Sequence, residues 1–365
     1  MTRSHSPGQV IASKDWRGFQ SSPLLRRGSL LLCFATALGA CAESQAVVPN
    51  APEAGQHVHS DSSDSPQRDM SPSSGSSAQL KDAVGMAQRG DFQNAERSIR
   101  TYLSDHADSA DGHFLLGYVL YREAKPTDSL AEYTAGARFR RPSANDLATV
   151  AMDYVLLHDY PDADKWMTQA TAQEPGNALY WYYLGRTKYN LNRFQEAVDA
   201  FSRCLKLRPD DVRAEYNLGL SYEGQALDNK AQAAYETAIA WQKDKAHQDP
   251  QPYLDLGTLL AKHGHPEQAL PHLQKAIELD AHNPKMREEV GRVYEQLHDL
   301  AKAQLELETA VALAPNVAPL HFELGRIYQK EGMVARAKSE FARWTALNGT
   351  VSTDSAETPN PDVPR

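Results

Sequence analysis

The chain has 365 residues, 41% hydrophobic and 23% charged, with 38 Lys and Arg against 47 Asp and Glu. That length allows one or two globular domains, and the acidic balance argues against nucleic acid as a partner. No stretch is long and apolar enough for an ordinary membrane-spanning helix, and the abundance of Ala, Leu, Glu and Gln points to an all-α protein.

Taken in chain order, the first element is an export signal over residues 1–40. Basic Arg17, Arg26 and Arg27 precede a 12-residue run, SLLLCFATALGA, that stops just before Cys41. Twelve residues are too few to cross a bilayer but suit the apolar region of a secretion signal. Leu38-Gly39-Ala40-Cys41 resembles the lipobox of bacterial lipoproteins. That resemblance implies cleavage before Cys41 and acylation of its thiol and amine. A plain secretory signal ending at Ala40 is the alternative. Ala42 stands where an Asp retains lipoproteins at the inner membrane in well-studied bacteria, so the resemblance favours the periplasmic face of the outer membrane. Five of the 38 basic residues and one of the 47 acidic ones fall in residues 1–41, which leaves 33 against 46 and a net charge of −13. Such a chain meets a membrane through its N-terminal lipid only, not through basic patches. Beyond Cys33 and Cys41 only Cys204 remains, so the mature chain has no intramolecular disulfide framework.

Residues 41–77, rich in Ser, Pro and Asp, read as a disordered tether carrying the lipidated Cys41, because they cannot bury enough apolar surface to offset their ordering entropy. Residues 349–365 read as a disordered tail for the same reason.

Between them, over residues 78–348, the chain repeats. Leu116-Gly117, Leu184-Gly185, Leu218-Gly219, Leu256-Gly257 and Leu324-Gly325 recur, with Val290-Gly291 and Val150-Ala151 as variants. Twelve residues after each Gly or Ala stands a small residue: Ser129, Ala163, Ala197, Ala231, Ala269, Ala303 and Ala337. Four further on stands a large one: Tyr133, Met167, Phe201, Tyr235, Leu273, Leu307 and Phe341. A small residue facing another lets two helices approach closely, and the large residue fills the space beside that contact. Pro126, Pro161 and Pro266 suit first helical turns, whereas Pro271 falls about a turn inside its helix and should loosen or kink it.

This pattern resembles the tetratricopeptide repeat, a helix–turn–helix of 34 residues. The resemblance implies an all-α, right-handed α-solenoid of about eight repeats, beginning at 76, 110, 144, 178, 212, 250, 284 and 318. The fifth carries four extra residues around WQKDKAHQDP. Terminal repeats are atypical, as expected of caps: Asp82 and Tyr102 break the pattern in the first, and Trp344 covers the end of the last.

No catalytic constellation, phosphate loop or cofactor motif is present, and no cysteine pair has metal spacing, so no cofactor and no metal are expected. His57 and His59 sit in the tether, and His263, His265 and His272 lie in or near one turn; none supplies a third ligand. Cys204 occupies a small-residue packing position and reads as a buried structural thiol.

In the resembled family the first helix of each repeat lines a concave groove. Carried onto this sequence, the groove positions give Phe114, Tyr118, Tyr121 and Arg122 in the second repeat. The fourth gives Tyr182, Arg186, Tyr189 and Asn190, and the fifth Tyr216. Arg292 follows in the seventh, then Phe322, Arg326 and Lys330 in the eighth. Aromatic and arginine side chains dominate binding hot spots, so a protein or peptide partner in this groove is the expected ligand. In the segment LYWYYLGRTKY, Trp181, Leu184 and Gly185 take signature packing sites, Tyr180 and Tyr183 pack against neighbours, and Tyr182 points into the groove. The expected function is a non-enzymatic, lipid-anchored scaffold of the bacterial envelope. The alternatives are an accessory subunit of an exported-polysaccharide or cell-wall enzyme system, and a soluble secreted protein.

Overall fold

The computed structural model of the chain describes residues 78–353, which form sixteen α-helices and no strand. The export signal, Cys41 and the tether lie outside the described residues, as does the chain beyond Thr353. In the first of two compact units, which ends at Arg141, α1 (Ala78–Gln88) pairs with α2 (Phe92–Asp105), and α3 (Ala110–Arg122) with α4 (Pro126–Gly136). The second unit begins at Pro142. There α5 (Ala144–Leu156) pairs with α6 (Tyr160–Gln173), α7 (Ala178–Asn190) with α8 (Phe194–Leu207), and α9 (Val212–Gly224) with α10 (Asp228–Gln242). The series continues with α11 (Gln251–Lys262) on α12 (Pro266–Leu279), α13 (Pro284–Gln296) on α14 (Leu300–Leu313), and α15 (Ala318–Lys330) on α16 (Val334–Thr353). Each pair is one repeat, and from α3 onward the first helices start within one residue of where the register puts them. The last helix runs to Thr353, past the expected end of the array at residue 348.

Local chemistry sets the helix ends. Ser109 Oγ accepts from the Gly112 N–H, Asn177 from Leu179 and Asp211 from Ala214, each satisfying an orphan donor of a first turn. Ser143 and Asp146 cap α5 reciprocally. Pro126, Pro161 and Pro266 fall in first turns, as expected, while α12 runs unbroken through Pro271.

Every turn inside a pair contains one residue in the left-handed region. These are Gly90, Ala124, His158, Asn192, Ala226, Gly264, His298 and Gly332, with φ between 56° and 81°. They follow the repeat period, including the step lengthened by the extra residues. The next N–H then reaches back to a carbonyl of the preceding helix, as Leu227 does to Tyr222 and His265 to Leu260, closing the helix end.

In the pairs that carry it, the repeated glycine faces the large residue itself. A Cβ on Gly219 would lie 2.5 Å from the Tyr235 ring, and one on Gly257 would lie 2.5 Å from Leu273 Cγ. Gly185 meets Phe201 in the same way. The large side chain therefore sits on the glycine rather than beside it, and the glycine sets the depth to which the ring seats.

A second contact recurs 19 residues apart and ties a first helix to its partner. His113 Nδ1 meets Glu132 at 2.6 Å, Arg287 donates to Glu306 at 2.7 Å, and His321 Nδ1 meets Glu340 at 2.6 Å. In α7 the same place is taken by Trp181, whose Nε1 donates to the Pro175 carbonyl.

In the second unit the core runs from pair to pair. Ala231 and Tyr235 of α10 pack with Leu256 of α11, Leu273 of α12, and Met286 and Val290 of α13. The extra residues after α10 are held by buried Gln242, whose amide donates to the Asp249 carbonyl and accepts from the Asp249 N–H. Cys204 is fully buried and burial pushes its thiol up to about 12, as suits a packing residue. Trp344 lies 5.2 Å from Phe322, ring to ring, at the last pair.

Candidate functional site

The candidate site is the face that successive first helices form within each unit. In the first unit, Phe114 has 0% of its surface exposed. It stacks on Tyr133 and fills the space left by Gly136, so it cannot reach a partner. Tyr118 and Tyr121 are also buried. Arg122 is half-buried, donates to the Tyr118 hydroxyl at 2.9 Å and lies over the Phe92 ring of α2. Three of these four residues are buried, and only Arg122, which meets Tyr118, is near the surface.

In the second unit, Tyr182 corrects the sequence reading. It is 6% exposed, packed on Phe201 and Tyr183, with the Arg213 guanidinium 5.0 Å from its ring centroid. The cause is Gly185, which lets the Phe201 ring in and gives Tyr182 a wall to lie against. Of the same helix, Arg186 and Tyr189 are half-buried and Asn190 is exposed. Asn190 donates to the Arg186 carbonyl, and Tyr189 stands edge-on to Phe194. Lys188 forms ion pairs with Asp164 and Glu196.

Further along, side chains of one first helix touch those of the next. Tyr216 of α9 donates its hydroxyl to Asp255 of α11 at 2.6 Å. Its ring lies 5.9 Å from that of Tyr235, which donates to Glu223 at 2.8 Å. Desolvation, reinforced by Glu223, Asp249 and Glu289 and opposed by the Tyr216 hydrogen bond, pushes the Asp255 carboxyl up to about 7. The Tyr189 phenol is raised by burial and then by the same Glu223 and Asp255.

Two of the arginines expected in the groove are already ion-paired. Arg292 of α13 binds Glu288 and Glu289 of its own helix and reaches Glu323 of α15. Arg326 binds Glu323 and Glu295, and Lys330 also binds Glu295. With Lys285 on Glu288 and Glu289, four cations and four carboxylates form one ladder across α13 and α15. Phe322 is 37% exposed and rests on Phe341 and Trp344.

Sequence reasoning found the aromatics and arginines of this face but missed its carboxylates. The signal was present: Asp255, Glu289 and Glu323 stand 34 residues apart, at one register position. The face holds half-exposed rings, hydroxyls and ion pairs in series, which suits it to hydrogen-bond and stack along a polypeptide. Among the described residues no cluster of His, Cys, Asp and Glu has a metal-binding arrangement.

Family profiles described as tetratricopeptide repeat match residues 178–211 in one case, and residues 87–145 and 254–318 in another. Among curated proteins, the Peroxisomal targeting signal receptor of Candida albicans is 48% identical over 70 residues, covering 18% of this chain and 12% of that protein. The receptor of the same description from Saccharomyces cerevisiae is 36% identical over 86 residues, covering 21% of this chain and 14% of that one. The PEX5-related protein of Mus musculus is 33% identical over 81 residues, 22% of this chain and 14% of its own length. The chain thus spans a small fraction of these relatives. Among solved structures, the C-terminal part of a TPR repeat-containing protein from Cytophaga hutchinsonii superposes with a TM-score of 0.54 at 15% identity, covering 67% of this chain and 98% of that one. A tetratricopeptide repeat protein from Parabacteroides merdae gives 0.52 at 16% identity, with 68% and 97% covered. At such identities the likeness shows the fold.

Proposed function

This chain is a tetratricopeptide-repeat protein, and on that premise we propose that it is a non-enzymatic scaffold that holds an extended segment of a protein partner against its first helices. The observation that carries this reading is the series of half-exposed side chains on successive first helices, Tyr189, Tyr216, Asp255, Arg292 and Arg326, with α9 tied to α11 by a hydrogen bond and α13 to α15 by ion pairs. A segment lying along such a surface adds main-chain hydrogen bonds and ring contacts without reorganising the helices. That relatives described as targeting-signal receptors share these repeats fits a peptide-binding role.

The lipobox-like Leu38-Gly39-Ala40-Cys41 extends the proposal to location: an exported scaffold anchored through Cys41, at the periplasmic face of the outer membrane, serving assembly of an envelope complex.

Two experiments test these parts separately. A photo-crosslinking residue at Asn190, on the first-helix face, is expected to trap a polypeptide partner in cells. The same residue at Leu305, which is 61% exposed on α14, is expected not to. Equal trapping from both positions overturns the groove assignment. Cys41→Ser is expected to move the protein out of the membrane fraction, and unchanged fractionation overturns the anchor.

A further inference from the structure

The first-helix face of the second unit repeats one ionic arrangement and then departs from it. In the seventh repeat, Glu289 pairs with Arg292 three residues on; in the eighth, Glu323 pairs with Arg326 in the same way. The sixth repeat keeps the acid, as Asp255, but has Thr258 where the other two have arginine. Asp255 is therefore met by a phenol, Tyr216, and not by a guanidinium.

Its surroundings make the difference larger. Glu223 is bonded by the Tyr235 hydroxyl, and Asp249 by the Gln251 N–H. None of Glu223, Asp249 and Asp255 is ion-paired among the described residues. The strongest charge effects on Asp255 come from Glu223 of α9, Asp249 of the turn before α11 and Glu289 of α13, all acidic; the Tyr216 hydroxyl meets it from α9 with the Tyr235 ring behind, and Tyr189 of α7 is near enough for Asp255 to raise its phenol. Asp255 and Glu223 thus share one stretch of the face with the half-exposed rings of Tyr189 and Tyr216, and Tyr235 is core beneath it. In the next two repeats every carboxylate of the ladder already has its cation.

We propose that this stretch, from the fourth to the sixth repeat, takes a lysine or arginine side chain of the bound segment, whose charge stands where Arg292 and Arg326 stand in the following repeats. The inference rests on the groove reading above and narrows its partner to a segment carrying a basic residue. A cation there is drawn by Asp255 and Glu223 and lies against the faces of Tyr189 and Tyr216, a setting in which ring and carboxylate attraction act together. An acidic residue meets like charge at this place. An apolar one leaves the crowded carboxylates uncompensated.

The test is selection of a displayed library of random twelve-residue peptides on the full chain. The selected pool is expected to be enriched in lysine or arginine. A basic peptide from it is expected to bind both Thr258→Arg, which supplies the cation internally, and Asp255→Asn about tenfold more weakly. Asp255→Asn keeps the shape of the side chain and removes a crowded charge, so it guards against failure of the arginine variant to fold; circular dichroism checks both. A pool without basic preference, or two folded variants that bind as the parent does, overturns this inference and leaves the groove standing. An empty selection overturns the groove as well.

Discussion

Tyr182 and Tyr189 stand seven residues apart on one helix, yet one is core and the other is surface. The difference is made by what lies opposite. Gly185 admits the Phe201 ring, and Tyr182 packs on that ring, whereas Tyr189 meets only the edge of Phe194. Two residue-scale predictions follow from equally local geometry. Ala226 sits at φ 56° inside a tight turn. An L side chain in that region costs about 1–2 kcal/mol, and glycine's extra freedom in the unfolded chain returns part of it. Ala226→Gly is therefore expected to raise stability by up to about 1 kcal/mol in urea unfolding; a loss would show that the alanine is held there by contacts. Gly257→Ala is expected to act in the opposite sense. Better helix propensity contributes about 1 kcal/mol, but a Cβ placed 2.5 Å from Leu273 Cγ and 3.2 Å from the Ala269 carbonyl forces the pair apart. Overpacking of this kind costs about 1–3 kcal/mol, so the net effect is a loss, seen as a lower urea midpoint.

At the scale of the element, contacts between neighbouring first helices of the second unit include the α9–α11 hydrogen bond and the α13–α15 ion pairs. The link between α9 and α11 is the most sensitive of these contacts to protons. Asp255 has an ordinary carboxyl value of 3.8 when unfolded, and desolvation together with its acidic neighbours pushes it up to about 7 in the fold. The folded chain therefore holds this proton over a range in which the unfolded chain has released it, and stability from this group falls as pH rises from about 4 to about 7. The unfolding midpoint of the parent, measured relative to Asp255→Asn, is expected to decline across that window. A difference that stays flat would show that Asp255 is ionised throughout. The same contact explains why the groove was only half legible: aromatics and arginines announce themselves as contact residues, but their pairing with Glu288, Glu289, Glu295 and Glu323 depends on which helices lie side by side.

For the molecule, stability is shared between neighbours, because no pair can bury its apolar face alone. Within the second unit, α9 to α12 have a pair on either side, whereas α15 and α16 are followed by no further described helix. Amide exchange is expected to be faster in α15 and α16 than in α9 to α12. Equal protection along the unit would mean that it opens only as a whole. The anchor proposed at Cys41 belongs to another level, since an anchor acts on where an array is held and not on how it folds.

The sequence alone determined the all-helical class, the number of repeats and the register, because the Gly and large-residue pairing must recur at a fixed period for each pair to close on itself and on the next. It also marked Cys204 as a packing residue. Tertiary structure alone decided that Phe114, Tyr118 and Tyr182 are core, that Arg292 and Arg326 are paired, and that Asp255 is not. Exposure and ion pairing are properties of the space between helices. A 34-residue period fixes which positions face that space, but the side chains that meet across it decide what is left for a partner.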